Sequence, residues 1–117
     1  MPDKTWFAVR TCVANHEPKP WGPHDLEPGQ VDYEERITIW RAIDFDAAIA
    51  MAEAEAERYV EDLGGEVLPL TQAYALAMKP ANGVEVFSLI RRSGLTTEDY
   101  LDRHFAMGTE RQHRADV

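Results

Sequence analysis

The chain has 117 residues, which is enough for one compact domain and too few for two ordinary ones. Apolar residues make up 44% and charged residues 28%, as in average globular proteins, so one hydrophobic core can form. The net charge of −9 argues against nucleic acid and anionic membranes as partners, because both select basic surfaces.

The sequence also lacks the signals of a membrane or secreted protein. No stretch approaches about 18 consecutive apolar residues, so we predict no transmembrane helix. The N-terminal residues lack the apolar segment of a signal peptide. The single cysteine, Cys12, has no partner for an internal disulfide. Together these features predict a cytoplasmic protein.

The first third of the chain predicts two strands separated by a long loop. Residues 6–14 run through β-branched and aromatic residues without a breaker, as strands do. Residues 16–31 are rich in proline and glycine, which excludes a helix or an inner strand. Residues 32–43 alternate with a period of two, which predicts a strand with one face in the core. The apolar side chains placed on that core face are Tyr33, Ile37, Ile39 and Ile43.

The strongest pattern is a helix over residues 44–63. Apolar side chains recur there at spacings of three and four from Phe45 to Leu63. Asp44 is a good N-cap, because its carboxylate can accept a first-turn N–H. The Gly64-Gly65 pair predicts a left-handed C-cap that ends the helix.

Residues 66–91 predict a β-hairpin. Alternating side chains in residues 66–78 indicate a third strand, whose start Pro69 limits to an edge or a bulge. Residues 80–83 combine proline, asparagine and glycine, which is typical of a turn. Residues 84–91 then predict a fourth strand.

The remainder predicts a short helix and a tail. Thr96 is a suitable cap for a helix through about Phe105, and residues 108–117 predict a flexible polar tail. The element order is therefore ββαββα within a single domain of residues 1–107. We predict an α+β fold: a two-layer sandwich whose four-stranded antiparallel sheet carries the long helix on one face, with a short C-terminal helix.

Several short motifs appear in an order that resembles a bacterial family, the one catalogued as domain of unknown function 4288. The motifs are Trp6-Phe7-Ala8-Val9-Arg10, Tyr33-Glu34-Glu35-Arg36-Ile37, Phe45 with Ala48 at the start of an Ala/Glu-rich helix, and Gly83-Val84-Glu85-Val86-Phe87-Ser88-Leu89-Ile90-Arg91. The likeness covers most of residues 6–105, whereas residues 16–31 are longer than the family pattern. The resemblance implies a small bacterial α+β domain and no assigned activity.

The sequence supplies no motif for catalysis or cofactor binding. The histidines lack metal-ligand spacing, no nucleophile elbow is present, and the Gly64-Gly65 pair ends a helix where a phosphate loop would begin one. We therefore predict no catalytic residues, no metal and no cofactor.

Two surfaces carry more apolar residues than two helices can cover. On the long helix a second stripe follows helical spacing, and its members are Ala47, Ala50, Met51 and Ala54. On the sheet, aromatic and arginine side chains of the first two strands predict an interface or a pocket. Its residues are Trp6, Arg10, Glu34, Arg36 and Trp40. The alternatives are that alanine simply favours helix formation, and that the proline-rich loop and second helix cover the sheet.

These surfaces predict a non-catalytic interaction domain that self-associates, most simply as a symmetric dimer. One alternative is an immunity-like or inhibitory binder of a basic protein, because residues 44–66 carry eight acids against Arg58 alone. Another is a small-ligand-binding protein or enzyme that uses Glu34, Arg36 and Trp40 with residues 16–31 as a lid.

Overall fold

A computed structural model of the protein describes residues 3–15, 20–21 and 25–105. It shows an α+β architecture in which one antiparallel sheet carries a long helix on one face. The elements are β1 (Thr5–Asn15), β2 (Asp32–Ala42), α1 (Phe45–Leu63), β3 (Gly65–Ala75) and α2 (Thr97–Phe105). The strand order is β2-β1-β3, and both outer strands run antiparallel to β1. The predicted tail, 108–117, lies outside the described residues.

The predicted four-stranded sheet and ββαββα order are wrong: over the described residues the sheet has three strands, and the order is ββαβα. The predicted turn is present, since the Val84 N–H donates to the Ala81 carbonyl at 3.2 Å. Gly83 takes the left-handed conformation that such a turn favours, with φ of 83°. Residues 84–91 then continue without forming a strand.

The segment after this turn packs on the sheet instead of joining it. An open gap of about 620 Å³ separates residues 74–78 from residues 82–88. Phe87 contacts Tyr74 edge to face, with ring centroids 5.2 Å apart. Burying this ring against another aromatic contributes apolar contact that a main-chain pairing on the free edge of β3 would not. Within residues 84–91, Phe87 therefore packs on a sheet face, whereas Leu89 and Ile90 are exposed.

The register with β1 decides which face of β2 meets the helix. Phe7, Val9 and Val13 of β1 are buried beneath α1, and their partners on β2 are Trp40, Thr38 and Glu34. The predicted core face of β2 is therefore wrong. The β2 side chains that were predicted to face the core lie on the side of the sheet away from α1, which we call the far face. All of them are exposed: Tyr33 61%, Ile37 40% and Ile39 41%. Ile43, just beyond the strand, is exposed as well.

Helix α1 begins and ends at the predicted caps. Asp44 accepts a hydrogen bond from the Ala47 N–H at 2.8 Å, and Gly64 is left-handed with φ of 75°. The buried side chains recur every four residues and are small: Ala48, Ala52, Ala56 and Val60. Small side chains let the helix approach the sheet closely. Among the described residues, neither helix has the length and apolar content needed to cross a membrane.

Helix α2 confirms the predicted cap at Thr96. The Thr96 carbonyl accepts from the Tyr100 N–H at 2.8 Å, and its hydroxyl accepts from the Asp99 N–H at 3.2 Å. The helix ends at Phe105 and holds no fully buried residue. It is thus a peripheral element, stabilised mainly by its own cap and ring contacts.

Part of the proline-rich loop returns to the sheet at Gly65. The backbone N–H of Trp21 donates to Asp32 Oδ2 at 2.7 Å, which fixes the loop beside the start of β2. A Cβ on Gly65 would lie 2.8 Å from the Trp21 ring and 2.9 Å from the Ala14 carbonyl oxygen. A glycine is required there because both the indole and the neighbouring strand approach its Cα.

We expect Gly65→Ala to lower the free energy of unfolding by about 1–2 kcal/mol, as in other overpacked sites. The Ala14 carbonyl cannot retreat without disturbing the β1–β3 pairing. The matched control is Gly94→Ala, because nothing lies within 4 Å of a Cβ at that position. Urea unfolding of both variants measures the difference, and equal destabilisation would contradict the close approach at Gly65.

Candidate interaction surface

The five predicted sheet residues lie on opposite faces of the sheet. Trp6 and Arg10 project on the far face, where their β2 partners are Arg41 and Ile37. The other three, Glu34, Arg36 and Trp40, project toward α1. The structure therefore does not bring the five together into one surface.

Arg36 and Glu34 join β2 to helix α1. The two terminal guanidinium nitrogens of Arg36 donate to the Glu55 carboxylate, at 2.8 and 2.9 Å, and the guanidinium lies 3.6 Å from the Tyr59 ring centroid. The Tyr59 hydroxyl donates to Glu34 at 2.6 Å. The hydrogen bond from Arg36 lowers the pKa of Glu55, and the bond to Glu34 raises the pKa of Tyr59. These polar groups are therefore engaged within the chain.

Trp40 belongs to the edge of the hydrophobic core. Its ring packs against the core cluster that includes Phe7 and Ala52. Its indole N–H donates to Thr38 Oγ1 at 2.6 Å. Together with the bonds of Arg36 and Glu34, this leaves the helix-facing side of β2 filled by contacts within the chain.

On the far face, the half next to β3 is covered. Arg10 donates to Gln72 Oε1 at 2.6 Å, and Tyr74 donates to the same oxygen at 3.1 Å. The Arg10 guanidinium lies 5.5 Å from the centroid of the Phe87 ring. The segment after β3 thus covers this half of the sheet face. From the sequence, the proline-rich loop and the second helix were the candidates for that role within the chain.

The far face of β1 is closed along much of its length. Ala8 and Ala14 are fully buried there, while Trp6 is half-buried. The Cys12 thiol is partly buried, and this burial, with the Glu35 carboxylate nearby, raises the pKa of the thiol. A raised pKa keeps the thiol protonated at neutral pH and makes it a poor nucleophile.

Within the part of the chain that the structure describes, the half of the far face formed by β2 is uncovered. Tyr33, Ile37 and Ile39 stand there with large exposed fractions. Among the described residues β2 pairs with β1 alone, so the outward-pointing N–H and C=O groups of residues 33–42 face no neighbouring strand there. No proline interrupts this edge. Natural proteins usually protect such edges, so a long edge beside exposed isoleucines is a candidate pairing surface.

Two opposite charges flank the exposed isoleucines on the same face. Glu35 lies on one side of Ile37, and Arg41 lies on the other side of Ile39. The order along this face is therefore acid, apolar, apolar, base, and its midpoint lies at the position of Thr38, whose own side chain projects toward α1. Sequence reasoning placed the apolar members in the core. The two charges on the same side of the alternation were the signal that this face meets solvent.

The second stripe on α1 divides into two parts. Ala47 and Met51 are half-buried and pack against the core cluster. Ala50 and Ala54 are exposed. The four residues therefore do not form a continuous exposed surface, and the exposed alanines suit the helix by propensity alone.

Comparison with protein-family models, curated proteins and solved structures finds no match for the chain. The resemblance to the family of unknown function therefore stays a prediction. Over the described ranges, no group of three or more His, Cys, Asp and Glu side chains is arranged to hold a metal ion. The uncovered edge and far face of β2 are the surface from which we argue function.

Proposed function

We propose that this chain is a cytosolic interaction domain that acts by forming a symmetric dimer through strand β2. The observation that carries the proposal is the exposed face of β2, in which Glu35, Ile37, Ile39 and Arg41 are arranged symmetrically about Thr38. A surface with this arrangement is complementary to a second copy of itself, which is the requirement for a twofold interface.

The proposed dimer joins two β2 strands antiparallel about a twofold axis perpendicular to the sheet at Thr38. In that register Glu35 of each copy lies opposite Arg41 of the other, and Ile37 lies opposite Ile39. Directly opposed side chains of antiparallel strands lie about 4.5–5.5 Å apart at Cβ, close enough for both kinds of pair to form. The free main-chain groups of the two edges then pair with each other.

Neighbouring registers are less favourable for physical reasons. Because side chains alternate between faces, a shift that opposes odd to even positions would set exposed side chains against helix-facing ones. An axis at Ile37 opposes Glu35 to Ile39, and an axis at Ile39 opposes Ile37 to Arg41. Each of these sets a charge against an isoleucine, so the register centred on Thr38 is selected.

The resulting assembly would be one continuous sheet of six strands. Its far face would carry the four isoleucines as an apolar centre, with an ion pair at each end. Both α1 helices would lie on the opposite side of that sheet, because the axis does not exchange its faces. The dimer would therefore present two acidic helices side by side to any basic partner.

Charge exchange between positions 35 and 41 tests the proposal. Glu35→Arg opposes arginine to arginine at both ends of the homodimer, and Arg41→Glu opposes glutamate to glutamate. We expect each single variant to raise the dimer dissociation constant at least about tenfold, since two attractive pairs become repulsive. An equimolar mixture of the two variants restores opposite charges at both ends, so it should dimerise like the original chain in sedimentation velocity.

A second pair of variants tests the apolar centre. Ile39→Lys should abolish the dimer at micromolar concentration, because a charge replaces an isoleucine that faces another. The matched control is Ile90→Lys, since Ile90 is 93% exposed and lies outside β2. If the original chain is monomeric at about 100 µM, the proposal is overturned, because even weak association in the micromolar range would be visible at that concentration. So would a mixture of the charge variants that stays monomeric while the original chain dimerises.

A further inference from the structure

The segment before α2 and the last turn of that helix form an open cleft of about 350 Å³. Its lining is almost entirely cationic or hydrogen-bonding: Arg91, Arg92, Ser93, Leu95, Arg103 and His104. None of these residues is acidic, although acids outnumber bases by 21 to 12 in the whole chain. The cleft is thus a local concentration of positive charge on an acidic protein.

The arginines of this cleft have no carboxylate partner within the described ranges. Ion pairs hold Arg10 and Arg36 to glutamates elsewhere in the fold, but none is formed by Arg91, Arg92 or Arg103 among the residues described. Like charges that share a site repel one another unless an anion lies between them. The arrangement therefore favours an external anion.

Ser93 and His104, which also line the cleft, are placed to add hydrogen bonds to a bound anion. The Leu95 N–H donates to Ser93 Oγ at 3.1 Å, so the Ser93 hydroxyl proton is free to donate elsewhere. The Tyr100 ring lies 4.5 Å from the His104 ring and holds it against the helix. Partial removal from water, then the charges of Arg91 and Arg103, lower the pKa of His104. His104 lines the same cleft as both arginines.

We propose that this cleft binds the phosphoryl group of a small phosphate monoester. Guanidinium groups present paired N–H donors that match phosphate oxygens, and a dianion compensates several of them at once. A hydroxyl and an imidazole beside them supply further hydrogen bonds. The cleft volume is at the lower end of the range of small-molecule sites, about 300–1,000 Å³.

The surroundings limit the ligand to a small anion. The first turn of α2 carries Glu98 and Asp99, and Asp102 precedes Arg103. These carboxylates lie in the same helix as Arg103, and the net charge of −9 opposes a long polyanion. A single phosphoryl group fits this short cationic region, whereas a nucleic acid backbone needs an extended one.

Calorimetric titration of the full chain with inorganic phosphate at constant ionic strength tests the site. We expect saturable binding at least about tenfold tighter than that of acetate, since the dianion pairs with more of the cleft. Arg103→Gln and Arg91→Gln should each weaken phosphate binding at least about tenfold, as the loss of one charge-assisted hydrogen bond does. The matched control is Arg58→Gln, an exposed arginine of α1 outside the cleft.

Circular dichroism of each variant separates loss of the site from loss of the fold. If one variant unfolds, the other still tests whether the cleft binds phosphate, because the two arginines lie on different segments. Binding of phosphate that does not saturate, or that weakens equally in Arg58→Gln, would overturn the proposal and indicate general charge screening. Acetate binding as tight as phosphate would overturn the phosphoryl assignment.

Discussion

Replacing Ala52 by leucine is expected to lower the free energy of unfolding by about 2–3 kcal/mol, at the upper end of the overpacking range. Ala52 is fully buried and belongs to the core cluster with Phe7 and Val9. A leucine there would hold α1 away from the sheet or displace a β1 side chain. Urea unfolding followed by circular dichroism measures the loss.

The control for this substitution lies on the same helix. Ala54 is exposed, so Ala54→Leu should change stability by no more than about 0.5 kcal/mol. Leucine and alanine have similar helix propensity, so a difference between the variants reports packing against the sheet. Equal losses at the two positions would contradict the close approach of α1 that the buried alanines indicate.

Replacing Arg36 by methionine should lower the free energy of unfolding by about 2 kcal/mol at neutral pH, between the values for surface and buried pairs. The substitution removes both bonds to Glu55 and the stacking on Tyr59, and it leaves two glutamates near each other without a cation. The Arg36 and Glu55 side chains are only 18% and 26% exposed, so solvent screens the pair little. Lys79→Met, an exposed cation beyond the end of β3, is the control.

The same pair predicts a pH dependence with a definite sign. Arg36 lowers the pKa of Glu55 in the folded state, so the unfolded state binds the proton more readily. The stabilisation is present above the unfolded pKa, about 4.3, and is lost as the pH falls through the lower folded value. The stability difference between the original chain and Arg36→Met should therefore shrink below about pH 4. A constant difference from pH 7 to pH 3 would contradict the pairing.

Local signals in the sequence predicted most of the elements. The caps of α1 at Asp44 and Gly64, and that of α2 at Thr96, follow from groups that bond within a few residues of themselves. The turn that ends at Gly83 is equally local. Such features are readable because their energetics do not depend on distant parts of the chain.

The failures concern which surface a strand meets. Alternation in residues 32–43 fixed the two faces of β2 but not which one lies under α1. The register with β1 settles that, and Glu34 and Arg36 are accommodated because α1 supplies Tyr59 and Glu55. Residues 84–91 alternate as a strand would, yet they form none, and Phe87 packs on Tyr74. Both outcomes depend on partners far away in sequence.

The candidate site was missed for the same reason. Trp6, Arg10, Glu34, Arg36 and Trp40 were grouped by residue type, and the pairing of β1 with β2 then placed them on two faces. The exposed set on β2 was assigned to the core because isoleucine favours burial. The unpaired edge of β2 became visible only once the strand order was known.

The central position of β1 has a consequence for how the domain is made. β1 comes first in the order of the described strands, and its two neighbours end at Ala42 and Ala75. During synthesis, β1, β2 and the whole of α1 therefore leave the ribosome before β3 is available to complete the sheet. Contacts between distant segments of this kind slow folding. The most buried strand of the finished domain is thus the one that waits longest for its full set of partners.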